Sequence, residues 1–290
     1  MHCPGRADTW KAAVWISARF PHAGISVIPR PLFPSTRDLP PTLIRRLADG
    51  ILNLVFPESC LVCAAPVSRQ RDRGICRDCW QKALRLRITG ALCPSCGIPY
   101  QSFEEENAHL CGKCILNLPL YSGARAFGYY SAELSRIVRA FKFDGRRDLA
   151  PLIASLLLSA FLEFWLPQDI DLIVPVPLHS KRKKERGYNQ AALLGRSLAR
   201  LLGKSCGERV LARVRSTLPQ VGLSDADRVR NVQAAFTCTR PAQVRAHRVL
   251  LLDDVMTTGS TVASATEALL DAGAARVCVL TVARAVAGWE

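Results

Sequence analysis

The sequence predicts an α/β domain built on a doubly wound parallel sheet, preceded by a small domain organised around cysteines. Three observations support this prediction. Eight of the 12 cysteines form four C-x-x-C pairs between Cys60 and Cys114. After these pairs, short apolar runs rich in β-branched residues alternate with longer stretches of helical period. One apolar run ends in two adjacent acids, which lead through a Thr/Gly/Ser turn into a helical stretch.

The composition predicts a folded chain outside the membrane. Of the 290 residues, 49% are hydrophobic and 22% are charged, which is too apolar for a disordered chain. The longest mostly apolar run, Leu152 to Leu166, contains Glu163 and falls short of the ~20 residues that a membrane span needs. Because no secretory signal is evident either, we expect a cytoplasmic protein without membrane insertion. The formal net charge of +15 favours an anionic partner.

The N-terminal part of the chain differs from the rest. Residues 1–45 hold seven prolines and no repeated hydrophobic pattern, so we interpret them as a poorly ordered extension. We assign a leading helix and all four cysteine pairs to residues 46–118. The α/β domain then occupies residues 119–290.

The cysteine pairs have the spacing of metal ligands. A C-x-x-C turn directs two thiolates at one metal, and two such turns complete a tetrahedral four-sulfur site. This pattern favours two structural zinc ions, although iron–sulfur clusters and redox disulfides are alternatives. The spacing leaves open whether neighbouring pairs combine or cross over. The predicted ligands are Cys60, Cys63, Cys76, Cys79, Cys93, Cys96, Cys111 and Cys114.

The elements of the α/β domain follow from hydrophobic periodicity. Buried apolar strands that are separated by helices indicate a parallel sheet with helices on both faces. The predicted strands cover 125–130, 171–176, 210–214, 232–236, 248–253 and 276–283. The predicted helices cover 148–165, 189–202 and 260–271, together with a first helix that Ser131 caps and that ends at Phe143.

The segment from Val249 to Thr261, V-L-L-L-D-D-V-M-T-T-G-S-T, combines a buried strand with two ligand-binding features. In open α/β sheets, ligands bind at the carboxyl ends of the strands. A turn of small hydroxyl residues at a helix N-terminus suits a phosphate monoester. Asp253 and Asp254 can accept hydrogen bonds from the vicinal hydroxyls of a ribose. The segment therefore predicts a ribose-5-phosphate pocket; the alternative is a purely structural turn in which Asp caps the helix.

This order of residues resembles the phosphoribosyl-pyrophosphate (PRPP) motif of type I phosphoribosyltransferases. The resemblance implies that Asp253 and Asp254 hold the ribose 2′- and 3′-hydroxyls, and that the following loop holds the 5′-phosphate. It also implies that Mg²⁺ binds together with PRPP. The PRPP-binding residues that it implies are Asp253, Asp254, Thr257, Thr258, Gly259, Ser260 and Thr261.

Further stretches resemble one family more specifically. They are F-K-F-D-G-R at 141–146, V-P-V-P-L-H at 174–179, R-G-Y-N-Q at 186–190 and the polar region 213–232. Together with the cysteine pairs, they are similar to the ComF family, the competence-associated phosphoribosyltransferase-domain proteins of bacteria, over about residues 50 to 285. This implies a type I phosphoribosyltransferase-like sheet preceded by a small zinc-ribbon domain with four-cysteine sites. It also implies a link to DNA uptake or nucleotide handling, with protein partners from the DNA-uptake machinery.

The resemblance suggests two further groups of site residues. The stretch after V-P-V-P corresponds to the pyrophosphate loop of related transferases, where Arg182, Arg186 and Asn189 are the candidates. A solvated basic face is the alternative for its lysines. The polar stretch 215–230 corresponds to a mobile flap, and a disordered loop is the alternative there. The flap candidates are Arg213, Arg215, Gln220, Arg228 and Asn231.

Two classes of function fit these features. The first is a phosphoribosyltransferase that displaces pyrophosphate from PRPP in the presence of Mg²⁺. The second is a non-catalytic module that retains the same fold and binds a nucleotide or single-stranded DNA. The sequence contains no recognisable set of residues for reading an acceptor base, so both classes stay open.

Overall fold

The structure of the protein, a computed structural model, describes residues 58–67, 74–100, 109–214 and 235–286. The predicted extension over residues 1–45 and the leading helix lie outside the described residues. We call residues 58–67, 74–100 and 109–118 the cysteine region. Its elements are the antiparallel strands β1 (Glu58–Ser59) and β2 (Pro66–Val67), and the helices α1 (Arg77–Arg85) and α2 (Gly112–Leu116).

The remaining elements alternate between strands and helices. The strands are β3 (Gly123–Tyr129), β4 (Leu172–Pro175), β5 (Ser205–Cys206), β6 (Leu211–Arg213), β7 (Phe236–Cys238), β8 (Arg248–Met256) and β9 (Arg276–Arg284). The helices are α3 (Ala132–Phe143), α4 (Ala150–Phe164), α5 (Ser180–Arg186), α6 (Gln190–Leu202) and α7 (Ser260–Asp271). Five strands form one parallel sheet in the order β3-β9-β8-β4-β5.

Strand β8 lies at the centre of this sheet, and its side chains are covered by helices on both faces. The side chains from Val249 to Leu252 are all 0% exposed, as expected for a parallel strand covered on both faces. Leu250 and Leu252 pack into a core that contains residues of α3, α4 and α6. Val249 and Leu251 pack into a second core that contains residues of α7. The predicted doubly wound α/β class is therefore confirmed.

Three local predictions differ from the structure. Among the described residues, the predicted strand 210–214 corresponds to β6, which pairs with β7 in antiparallel register and does not extend the five-stranded sheet. Residues 232–234 of the other predicted strand lie outside the described residues. The basic stretch after V-P-V-P forms the short helix α5 instead of an open loop. Strand β8 continues to Met256, so the two acids lie within the strand rather than after it. Pairing with β9 continues through this end, which keeps the acids extended.

The cysteine region covers the open edge of the sheet at β3. The Ile88 amide donates to the Phe127 carbonyl at 3.0 Å, and the Tyr129 amide donates to the Leu86 carbonyl at 2.9 Å. The Ala124 amide donates to the Ser95 carbonyl at 2.7 Å, closer to the start of β3. These hydrogen bonds satisfy backbone groups of an edge strand that could otherwise pair with another chain.

None of the described helices is both long and apolar enough to span a lipid bilayer. This finding covers only the described part of the chain.

The contact between residues 86–88 and β3 depends on the small size of Gly128. A Cβ atom at this position would lie 2.7 Å from the Leu86 carbonyl oxygen and 2.9 Å from Leu134 Cδ2. We expect Gly128→Ala to lower the free energy of unfolding by about 1–3 kcal/mol, because the backbone segments must move apart. Urea unfolding monitored by circular dichroism measures this change.

Gly112→Ala is the matched control, since a Cβ atom there would meet nothing within 4 Å. We expect this control to change stability by at most about 0.5 kcal/mol. Equal stability of the two variants would contradict the close contact between the cysteine region and β3.

Candidate functional site

The eight predicted cysteine ligands form two compact clusters. In each cluster the four sulfur atoms lie within 4.8 Å of one another. The Cys63 and Cys76 sulfurs are 3.6 Å apart, as are those of Cys96 and Cys111. Neighbouring pairs therefore combine in sequence order, which settles the question that spacing left open. The first cluster contains Cys60, Cys63, Cys76 and Cys79, and the second contains Cys93, Cys96, Cys111 and Cys114.

These clusters have the donor set and the size of structural zinc sites. Four sulfurs bound tetrahedrally at ~2.3 Å would lie about 3.8 Å apart. Backbone amides also point at the sulfurs: those of Val62 and Cys76 lie 3.4 and 3.3 Å from Cys60 Sγ. The Cys111 amide lies 3.4 Å from Cys93 Sγ. Such N–H groups stabilise thiolate charge, so both clusters are consistent with structural zinc.

A cavity of about 290 Å³ opens at the carboxyl edge of the sheet. It brings the end of β8 and the start of α7 together with residues from α3, α5, α6 and β6. Among the residues lining it are Tyr130, Lys142, Val176, Arg182, Arg186, Asn189, Gln190, Arg213, Asp253, Asp254, Thr257, Gly259, Ser260 and Thr261. Thr258 belongs to the same turn.

The two acids, Asp253 and Asp254, line this cavity. Burial raises the pKa of Asp253 to about 7, and the adjacent Asp254 carboxylate contributes to the increase. The Lys142 and Arg213 cations oppose the increase. Lys142 Nζ lies 2.8 Å from Asp254 Oδ1. The neighbouring cations thus favour the ionised form of Asp253, which can accept hydrogen bonds from hydroxyl groups.

The turn after β8 places small polar groups at the N-terminus of α7. Gly259 is the N-cap residue and has φ +84°, a left-handed conformation that favours glycine. Thr258 Oγ1 lies 3.0 Å from Ser260 Oγ, and the Ser260 amide donates to Thr258 Oγ1 at 3.4 Å. The helix N-terminus and these hydroxyls form a favourable environment for an anion.

Three arginines, Arg182, Arg186 and Arg213, also line the cavity. Burial lowers the pKa of Arg213, and the nearby Arg182 guanidinium adds to this effect. The Arg186 guanidinium lies 4.6 Å from the centroid of the Phe143 ring. Cations that are brought together in this way favour a polyanionic ligand between them. Both Arg182 and Arg186, the candidates for a pyrophosphate loop, line this cavity.

Asn189 lines the cavity, but its side chain is used in hydrogen bonds to the protein backbone. Its Oδ1 accepts from the Ala191 amide at 3.1 Å and so caps α6. Its Nδ2 donates to the Val176 carbonyl at 3.1 Å, which fixes the end of the V-P-V-P segment. The predicted flap residues Arg215, Gln220, Arg228 and Asn231 lie outside the described residues.

Sequence reasoning missed Lys142 as a residue of the site. It belongs to the F-K-F-D-G-R stretch, which served only to recognise the family. Periodicity gave no direct signal for its role, because Phe143 beside it is exposed and its acidic partner, Asp254, lies far along the chain.

The second cysteine cluster adjoins the turn at the start of α7. Arg284 is buried, and its Nη1 donates to the Cys96 carbonyl at 2.5 Å while lying 3.2 Å from Met256 Sδ. Lys113 Nζ lies 3.5 Å from the Thr258 carbonyl oxygen. The cluster thus supports the end of β8 and the turn that follows it.

A second cavity of about 300 Å³ lies beside the first. Lys142, Arg182 and Arg186 line both cavities. The second one also contains Phe143, which is 63% exposed, and Tyr188. The two cavities therefore share three cationic side chains.

Comparisons with known proteins agree with this architecture. A family model described as a double zinc ribbon domain matches residues 51–115, and one described as a phosphoribosyl transferase domain matches residues 189–290. The second match includes the acidic pair and the turn that follows it.

This chain aligns with almost the whole length of three relatives. The DNA utilization protein YhgH of Salmonella typhi is 37% identical over 235 residues, which cover 80% of this chain and 99% of that protein. Competence protein F of Haemophilus influenzae is 32% identical, with 79% and 98% covered. Competence protein ComFC of Bacillus subtilis is 28% identical, with 78% and 94% covered. The chain therefore belongs to the ComF family, whose members join a double zinc ribbon to a phosphoribosyltransferase domain.

Proposed function

We propose that this protein binds PRPP, or a closely related phosphoribosyl compound, at the carboxyl edge of its sheet. The observation that carries the proposal is that one cavity holds the Asp253–Asp254 pair together with a helix N-terminal turn and three arginines. The turn suits a 5′-phosphate, the carboxylates suit a ribose diol, and Arg182, Arg186 and Arg213 suit a pyrophosphate. A PRPP molecule carries these three groups in the same order.

Mg²⁺ fits this proposal as a companion of the ligand. The ion prefers oxygen ligands and keeps several waters, so PRPP oxygens would supply most of its coordination. Asp253 and Asp254 are the carboxylates that line the cavity. When bound, the ion supplies positive charge to the departing pyrophosphate, while the chain itself orients the ribose and excludes water.

A second candidate function is a non-catalytic module that binds nucleotides or single-stranded DNA in the cytoplasm. The observation that favours it is the second cavity, in which the shared cations adjoin the exposed ring of Phe143. Exposed aromatics beside cations are typical of single-strand binding surfaces. The names of the relatives, DNA utilization protein and competence protein, also favour a partner in DNA uptake.

We expect the wild-type protein to bind PRPP in the presence of Mg²⁺, and Asp254→Asn to weaken this binding about tenfold or more. The loss of a hydrogen bond to a charged group costs about 1.5–3 kcal/mol, which accounts for a change of this size. Isothermal titration calorimetry measures both affinities. Asp271→Asn is the control, because Asp271 is exposed at the end of α7. Equal affinities for the two variants, or no binding by the wild type, would contradict the proposed pocket.

Pyrophosphate release separates the two candidate functions. A transferase should release pyrophosphate from PRPP when a suitable acceptor base is added, whereas a binding module should retain PRPP intact. For the module we expect affinity for oligonucleotides to fall as salt rises, because bound phosphates release counterions. A coupled pyrophosphate assay and fluorescence anisotropy over a salt series provide these measurements. Oligonucleotide affinity that ignores salt would exclude binding through the phosphate backbone.

We expect metal analysis of the reduced protein to find about two zinc ions per chain, one for each cluster. Cys93→Ser should reduce this to about one and lower the melting temperature, because it removes a ligand of the second cluster. Cys238→Ser is the control, since Cys238 lies in β7 and belongs to neither cluster. Zinc content that stays the same in Cys93→Ser would show that the second cluster does not hold the metal.

A further inference from the structure

Lys142 makes the closest charged contact of the acidic pair that the structure describes. Its Nζ lies 2.8 Å from Asp254 Oδ1, and the two side chains are only 15% and 13% exposed. An ion pair that is so far removed from water interacts more strongly than one on the surface. Removal of either partner would leave the other charge largely buried.

Two side chains that follow α5 fix the backbone around Lys142. The Tyr188 hydroxyl donates to the Phe141 carbonyl. Gln190, which is 1% exposed, donates from Nε2 to the Lys142 carbonyl at 3.1 Å. Carbonyl groups in the last turn of a helix lack partners within the helix, so side chains often satisfy them. These bonds hold the end of α3 against α6 and direct Lys142 toward β8.

We propose that Lys142 is a positioning residue of the phosphoribosyl pocket, whose ammonium group orients Asp254 and keeps the acidic pair ready to accept a ribose diol. The inference deepens the proposed function and rests on it. Its basis is the short ion pair, the low exposure of both partners, and the fixed end of α3.

The charges around the pair predict a pH dependence. Lys142 faces it from α3 and Arg213 from β6, while Arg182 and Arg186 on α5 and Tyr130 after β3 line the same cavity. Burial and the adjacent carboxylate raise the pKa of Asp253 to about 7, and Lys142 works against them. Loss of the ammonium therefore moves ionisation of Asp253 to higher pH. Because ionised Asp253 accepts a hydrogen bond from the diol, ligand binding should then require a higher pH as well.

A carboxyl titration tests this inference without any ligand. In protein labelled with ¹³C at aspartate side chains, NMR follows the Asp253 carboxyl from pH 5 to 9 in wild type, Lys142→Met and Lys142→Arg. We expect the midpoint to rise by about 1 pH unit in Lys142→Met, the lower end of the effect of a close opposite charge. Lys142→Arg keeps the positive charge, so its midpoint should lie close to that of the wild type. An unchanged midpoint in Lys142→Met would overturn the inference.

Affinity for PRPP as a function of pH gives the second test. At pH 6.5 we expect Lys142→Met to bind about tenfold more weakly than wild type, with the difference narrowing at pH 8.5. Protonation of the PRPP phosphates affects both proteins equally and cancels in this comparison. Lys142→Arg should follow wild type, and so should Lys82→Met, which removes an exposed lysine from the last turn of α1.

The outcomes distinguish this inference from the proposed function. If wild type binds PRPP and Lys142→Met shows the same pH profile, the role of Lys142 is overturned while the pocket stands. If wild type does not bind PRPP, the proposed function and this inference both fail. A uniform loss of affinity at every pH, without rescue by arginine, would assign Lys142 a packing role and likewise overturn the inference.

Discussion

Two adjacent carboxylates that directly follow the buried part of a central strand are the constraint on which the rest of this site depends. Residues Val249 to Leu252 have no exposed surface, so Asp253 and Asp254 follow directly from the core. Like charges in such a place need cations nearby or must take up protons. Lys142 and Arg213 provide the cations from two different elements of the fold. An anionic ligand with hydroxyl groups can use the carboxylates and the cations together.

The cysteine region contributes to the same arrangement and does more than extend the chain. Its backbone completes the open edge of β3, and the carbonyl of Cys96 receives a hydrogen bond from the buried Arg284. Arg284 also contacts Met256, one residue before the turn that starts with Thr257. A metal that holds the second cluster together would therefore also stabilise the support of this turn. This connection gives a physical reason for the two domains to occur in one chain.

Much of this architecture could be predicted from the sequence, because it depends on local patterns. The helix 260–271 is found as predicted, and the cysteine spacing predicted both four-sulfur clusters. Long-range pairing could not be predicted in this way. Nothing in periodicity indicates that β6 and β7 pair with each other in a separate antiparallel sheet, or that Asn189 uses its side chain to hold Val176. Lys142 was missed for the same reason, since its partner lies more than a hundred residues away.

The proposed function requires one ligand to place its phosphate on the turn and its diol on the acids. A crystal structure of the protein with PRPP and Mg²⁺ tests this requirement most directly. We expect the 5′-phosphate within hydrogen-bond distance of the turn from Thr257 to Thr261, and the ribose hydroxyls on Asp253 and Asp254. PRPP bound elsewhere, or bound here in the reverse orientation with its pyrophosphate on the turn, would contradict the proposed function.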